Sequence, residues 1–193
     1  HDAASELIER AEPLVRKSAD PSLIAEQLIA RSYIAGTRDP GAELRYAQQA
    51  AQGLNPAVPA QKGAAADANY ALGTALARRD VAAAEAPLRR SMDFFAQYRG
   101  ADYVWTNRAR LMLAKILVAE KKLPEAKPLI DQAEASAELL YGRTIWWANA
   151  KVIEAQYDVA AGNDAAALDA FHAFIAVASH EQFTCYFAPC TTA

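Results

Sequence analysis

The donors best suited to metal or redox chemistry lie near the C-terminal end. His172, His180, Cys185 and Cys190 offer two imidazoles and two thiols, the ligand set that zinc prefers. Their spacing departs from the short Cys–Cys and His–His pairs of zinc modules. Cys185 and Cys190 are the only cysteines, and they could instead close a local disulfide in an oxidising compartment or remain two thiols in a tail. The pair is carried forward as a disulfide candidate, with no metal ligand and no cofactor assigned. Nucleophilic catalysis needs a histidine within reach of a nucleophile. His172, between Phe171 and Phe174, has the setting of a packed ring rather than a general base. Glu154 and Asp158 lie one helical turn apart and could support acid–base work. Lys151, three residues before Glu154, makes them an ion-paired, solvated face. No phosphate-cradling glycine motif occurs, and Gly36 and Gly41 flank a turn. The expectation is that the protein is not an enzyme.

Composition sets wider bounds. Twenty Lys and Arg against 23 Asp and Glu leave a net charge of −3 and a pI near 5.7. That balance points away from nucleic acid. A chain of 193 residues, 53% hydrophobic, can bury a core without a metal or disulfide. Forty-seven alanines against 8 glycines favour helix over strand. No apolar run reaches the roughly 20 residues needed to cross a bilayer, and the best, Leu111 to Ala119, is broken by Lys115. No direct membrane span is therefore expected. The chain begins with His1 rather than Met, which reads as a processed or trimmed chain, the repeat portion of a longer protein. With the paired cysteines, this favours a periplasmic or other extracytoplasmic location over the cytoplasm.

The elements that must position these residues repeat. Leu72-Gly73-x-x-Leu76 returns as Leu113-Ala114-x-x-Leu117, 41 residues later. Ala86-Pro87-Leu88 returns as Lys127-Pro128-Leu129, again 41 later, and Gly100 with Trp105 returns as Gly142 with Trp147, 42 later. Apolar positions recur at three and four. Together with the breaks, they predict nine helices at about 3–18, 21–36, 40–53, 63–79, 81–98, 102–121, 124–140, 144–161 and 164–179. Asp20-Pro21 and Asp39-Pro40 should open helices, and Gly162 should close one. Residues 1–180 form the helical repeat domain and 181–193 an irregular tail. Trp105, Trp146 and Trp147, with Tyr103 and Tyr141, recur in successive repeats and are read as core filling, with one of the adjacent tryptophans partly exposed.

These residues give the chain a resemblance to the tetratricopeptide repeat family, in its longer-repeat form seen in kinesin light chains. The first-helix small positions read Ala30, Gly73, Ala114 and Ala155, with Tyr33, Leu76 and Leu117 as large partners. The second-helix small positions read Ala42, Ala126 and Ala167. Glu85 stands where a small residue is expected, and Glu154 and Asp158 stand where apolar ones are, which suits a terminal capping repeat. The resemblance implies an all-α, right-handed α–α superhelix of about four helix pairs plus one extra N-terminal helix. It also implies a concave surface lined by Ile24, Gln27 and Arg31; Asp67, Tyr70 and Thr74; Arg108, Leu111 and Lys115; and Asn149, Val152 and Gln156. Such a groove suits a protein or peptide partner with acidic and apolar residues. The Lys/Asn carboxylate clamp of the family's chaperone-binding members is not reproduced. Two other functions stay open: a zinc site near the C-terminus, regulatory or hydrolytic, and a self-assembling scaffold or homo-oligomer. Thiol titration of unreduced protein checks the disulfide: zero reactive thiols are expected, and two would remove it.

Overall fold

A computed structural model describes residues 2–36 and 38–179. His180, Cys185 and Cys190 lie outside the described residues, and with them the disulfide and zinc readings. The described residues hold nine α-helices: α1 (Asp2–Ser18), α2 (Pro21–Ala35), α3 (Pro40–Gln52), α4 (Lys62–Leu76), α5 (Val81–Arg99), α6 (Val104–Ala119), α7 (Leu123–Tyr141), α8 (Ile145–Ala161) and α9 (Asp164–Ala178). A short 3-10 turn, Pro59–Gln61, precedes α4. No strand occurs among the described residues. Every expected helix is present, with ends shifted by at most three residues.

Local chemistry sets the boundaries. The Asp20 carboxylate accepts the Ser22 N–H at 2.8 Å and Asp39 accepts that of Ala42 at 2.9 Å, each with proline at the first helical position. Gly162 ends α8 with φ +79°, a left-handed conformation that glycine adopts without strain.

The chain divides into two compact units, His1–Tyr98 and Arg99–Ala193. In the first, α2 packs on α1, α3 and α4, and α3 packs on α4. In the second, α7 packs on α6 and α8, α8 on α9, and α6 on α8. Neighbours in sequence and helices two apart thus touch within a unit, as in stacked hairpins.

Burial follows a register of 41 residues. Ala25, Ala66, Asn107 and Ala148 are all buried, as are Ile29, Tyr70, Leu111 and Val152. The third buried column is Ser32, Gly73, Ala114 and Ala155. At Gly73 it marks a close approach of paired helices. A Cβ on Gly73 would fall 2.5 Å from Leu88 Cγ and 3.3 Å from the Ala84 carbonyl oxygen.

This register corrects the expected small positions of the first two pairs. In the first pair the small residue is Ser32 rather than Ala30, and its hydroxyl donates to the Glu43 carbonyl at 2.9 Å. Tyr33, expected to fill the groove, is exposed. In the second pair Ala84, not Glu85, faces Gly73 and is wholly buried. The buried second-helix residue lies eleven positions after Ser32 and Gly73, at Glu43 and Ala84, but twelve after Ala114 and Ala155, at Ala126 and Ala167. A spacing fixed at twelve therefore lands one residue late at Glu85, and counted from Ala30 it reaches Ala42, one residue before Glu43. For the same reason Leu88 corresponds to Ile130, also fully buried, and not to the half-buried Leu129.

Gly73→Ala measures this contact. The added methyl forces Leu88 or the backbone to move, costing about 1–3 kcal/mol, against a helix-propensity gain of about 1 kcal/mol. Denaturant melts should show net destabilisation in the wild type and a neutral or stabilising effect in a Leu88→Ala background. Loss of stability in both backgrounds would refute the close approach.

Candidate functional site: interaction surfaces

The residues expected to line a groove fall into two sets, one in each unit. In the first unit, α2 carries Gln27 and Arg31, while α4 carries Asp67, Tyr70 and Thr74. The Gln27 amide donates to the Ile8 carbonyl at 3.1 Å, and the Arg31 guanidinium bonds the Glu12 carboxylate at 2.5 Å. Arg31 also stands 5.9 Å from the centre of the Tyr46 ring. Both side chains therefore tie α1 to α2. Hydrogen bonding from Arg16, joined by the charge of Arg31, holds the Glu12 carboxyl below its ordinary range. The Thr74 hydroxyl donates to the Tyr70 carbonyl at 2.9 Å, and Tyr70 is buried.

In the second unit, α6 supplies Arg108 and Lys115, and α8 supplies Asn149 and Gln156. The Arg108 guanidinium lies 4.3 Å from the Trp105 ring centre, a cation–π stack. Asn149 is buried, and its amide has no hydrogen-bond partner among the described residues. Ile24 is half-buried and Leu111 is buried, whereas Val152 and Gln156 line a hollow between α8 and α9. Trp147 is buried and Trp146 half-buried, as expected of the adjacent pair, while Tyr141 is exposed. His172 is exposed rather than packed.

Lys151 does pair with Glu154, at 2.7 Å, but it also bonds Glu134 at 2.5 Å, and all three side chains are more than three-quarters buried. Burial alone would lower the Lys151 ammonium. The two carboxylates outweigh it, and the net shift is upward. The group expected to be a solvated face is a compact ionic cluster joining α7 to α8.

Two features escaped sequence reasoning. One is a cleft of about 390 Å³ in the first unit, where the end of α3 meets α4 and α5. Leu54, Leu72 and the Phe94 ring give it apolar walls. Phe94 stacks on Tyr98 with ring centres 4.6 Å apart, and Lys62 Nζ approaches the Tyr98 hydroxyl at 3.2 Å. The Arg90 Nε donates to the Asn69 side-chain oxygen at 3.0 Å. The lining thus holds two cations and no carboxylate. Three separate helices supply it, so no local motif announces it.

The other is a buried charge. Glu43 is almost wholly buried, against the backbone of Gly36, and pairs with Arg78 at 3.0 Å. Arg78 also donates to the Gly36 carbonyl at 2.6 Å, which fastens the end of α4 to the turn between α2 and α3. Burial raises the Glu43 carboxyl above its ordinary range despite Arg78. Its only sequence signal is its place 41 residues before Ala84, where neutral small residues stand.

No group of three or more His, Cys, Asp or Glu side chains that could hold a metal ion occurs among the described residues. No helix there is long and apolar enough to cross a membrane. No family model, no curated protein and no solved structure matches the chain.

Glu43 gives a pH prediction. Its raised carboxyl binds a proton more tightly in the folded than in the unfolded chain. The associated stability is present below the unfolded value and is lost as pH rises through the folded one. Glu43→Gln carries no such titration. Its stability relative to wild type should therefore climb as pH rises above the ordinary carboxylate range, read as the difference between denaturant melts. Parallel curves over that rise would contradict it.

Proposed function

We propose that this protein is a non-catalytic helical-repeat module that holds a polypeptide partner. In this reading the helices form a right-handed α–α superhelix similar to the tetratricopeptide repeat, with about four pairs and an extra first helix. The 41-residue burial columns and the small residues at Ser32, Gly73, Ala114 and Ala155 support it. The cleft between α3, α4 and α5 carries the function. Its apolar walls suit one aromatic or branched anchor side chain, and Lys62 and Arg90 suit carboxylates beside that anchor. The ligand is thus an acidic segment with apolar anchors, the class expected from sequence, taken at a different place. Gln27 and Arg31 are occupied in holding α1, and Tyr70 and Asn149 are buried.

An array of acidic, aromatic-containing peptides tests this. Lys62→Glu with Arg90→Glu should weaken the best binders at least tenfold, about 1.4 kcal/mol, with helicity and melting unchanged. Arg31→Glu with Lys115→Glu should leave them nearly unaffected. The reverse pattern would return the site to the expected groove, and no effect of either pair would remove the cleft.

A further inference from the structure

The register that orders the core also exposes a second surface. In the second unit α8 lies against both α6 and α7. Leu111, Ala114, Val118, Ala126 and Ile130 of those two helices are all buried. Forty-one residues on, the corresponding positions are Val152, Ala155, Val159, Ala167 and Phe171. All five line one hollow of about 550 Å³ between α8 and α9. Here the described residues provide no further helix, and the outer positions stay open: Val159 is 63% exposed, Leu168 55% and Phe171 46%. The face has the shape that an α-helix covers one repeat earlier.

Charge selects what that helix should be. Lys151 is the last cation in the sequence. Asp164 stands in the lining, and Asp158 and Asp169 stand on the same two helices. No Lys or Arg on α8 after Lys151, or on α9, offsets them, and the one histidine there is the exposed His172. We infer that the α8–α9 face receives a basic amphipathic helix from a partner protein, its apolar side on Val159, Leu168 and Phe171 and its cations toward Asp164. Residues 180–193 contain Glu181 and no Lys or Arg, so they lack the complementary charge. The exposed leucines of this chain's own α1, Leu7 and Leu14, stand on a helix with four acids against three bases, so a second copy is no better matched.

The probe is a labelled 17-residue peptide with leucines on one helical face and Lys and Arg on the other, beside a twin carrying Glu in their place. By fluorescence anisotropy with the full chain, the basic peptide should bind at least tenfold tighter than the acidic one and weaken as salt rises. Leu168→Asp with Phe171→Asp, both at exposed positions, should lower its affinity at least tenfold with helicity retained. Asp164→Lys with Asp169→Lys should reverse the preference between the peptides. Equal binding of both peptides, or binding indifferent to the Leu168 and Phe171 changes, would overturn the inference. So would a tail variant, Phe183→Asp with Phe187→Asp, that raised affinity, because the tail would then be the occupant. A sedimenting dimer dispersed by Phe171→Asp would overturn it in favour of a second copy.

Discussion

Close approach of paired helices is the constraint on which the rest of the structure depends. Backbones can meet only where side chains are small, and Ser32, Gly73, Ala114 and Ala155 meet that need in four successive pairs. Each site solves it differently. Gly73 leaves no room for even a methyl beside Leu88. Ser32 uses its hydroxyl to satisfy the Glu43 carbonyl across the gap. Once these contacts are set, the 3.6-residue helical period determines which neighbours turn inward, and the columns headed by Ala25 and Ile29 follow.

The same constraint explains where charge is tolerated inside. Glu43 occupies a position that is alanine in later pairs, and it is kept there by Arg78, which also clasps the Gly36 carbonyl. In the second unit Lys151 sits between Glu134 and Glu154, and its ammonium lies 5.2 Å from the centre of the Trp147 ring. Both clusters join neighbouring helices that apolar packing alone would let slide. A buried ion pair is a weak source of net stability, and here each cluster fixes which residues of adjacent helices stand opposite one another.

The sequence disclosed the helices well because capping and breaking are local. Asp20, Asp39 and Gly162 act through their own backbone neighbourhood, and their roles are visible without any tertiary information. The pairing register was harder. With 47 alanines, almost any offset finds a small residue, so Ala30 could stand in for Ser32. A polar serine gives no hint that it sits at a helix crossing. The one-residue difference in turn spacing before Ala126 then shifted Glu85 into a place that belongs to Ala84. The cleft around Phe94 was beyond sequence reasoning for another reason. Its walls come from residues as far apart as Ala51 and Tyr98, and only packing brings them together.

Net charge conceals the feature that most distinguishes the surfaces. A value of −3 suggests a nearly neutral molecule, yet all 20 Lys and Arg occur at or before Lys151, while five of the 23 acids follow it. The stretch through Lys151 is slightly basic and the remainder carries only negative charge. A cleft lined by Lys62 and Arg90 and an apolar face carrying Asp164 therefore differ in the sign of their charge, and the ligands proposed for each carry the opposite sign. Under those proposals the opposite charges would separate two polypeptides that both offer apolar anchors, because the wrong pairing places like charges together at a desolvated contact. On the two proposals made above, apolar burial supplies the affinity at both places, and the charge beside it selects the partner.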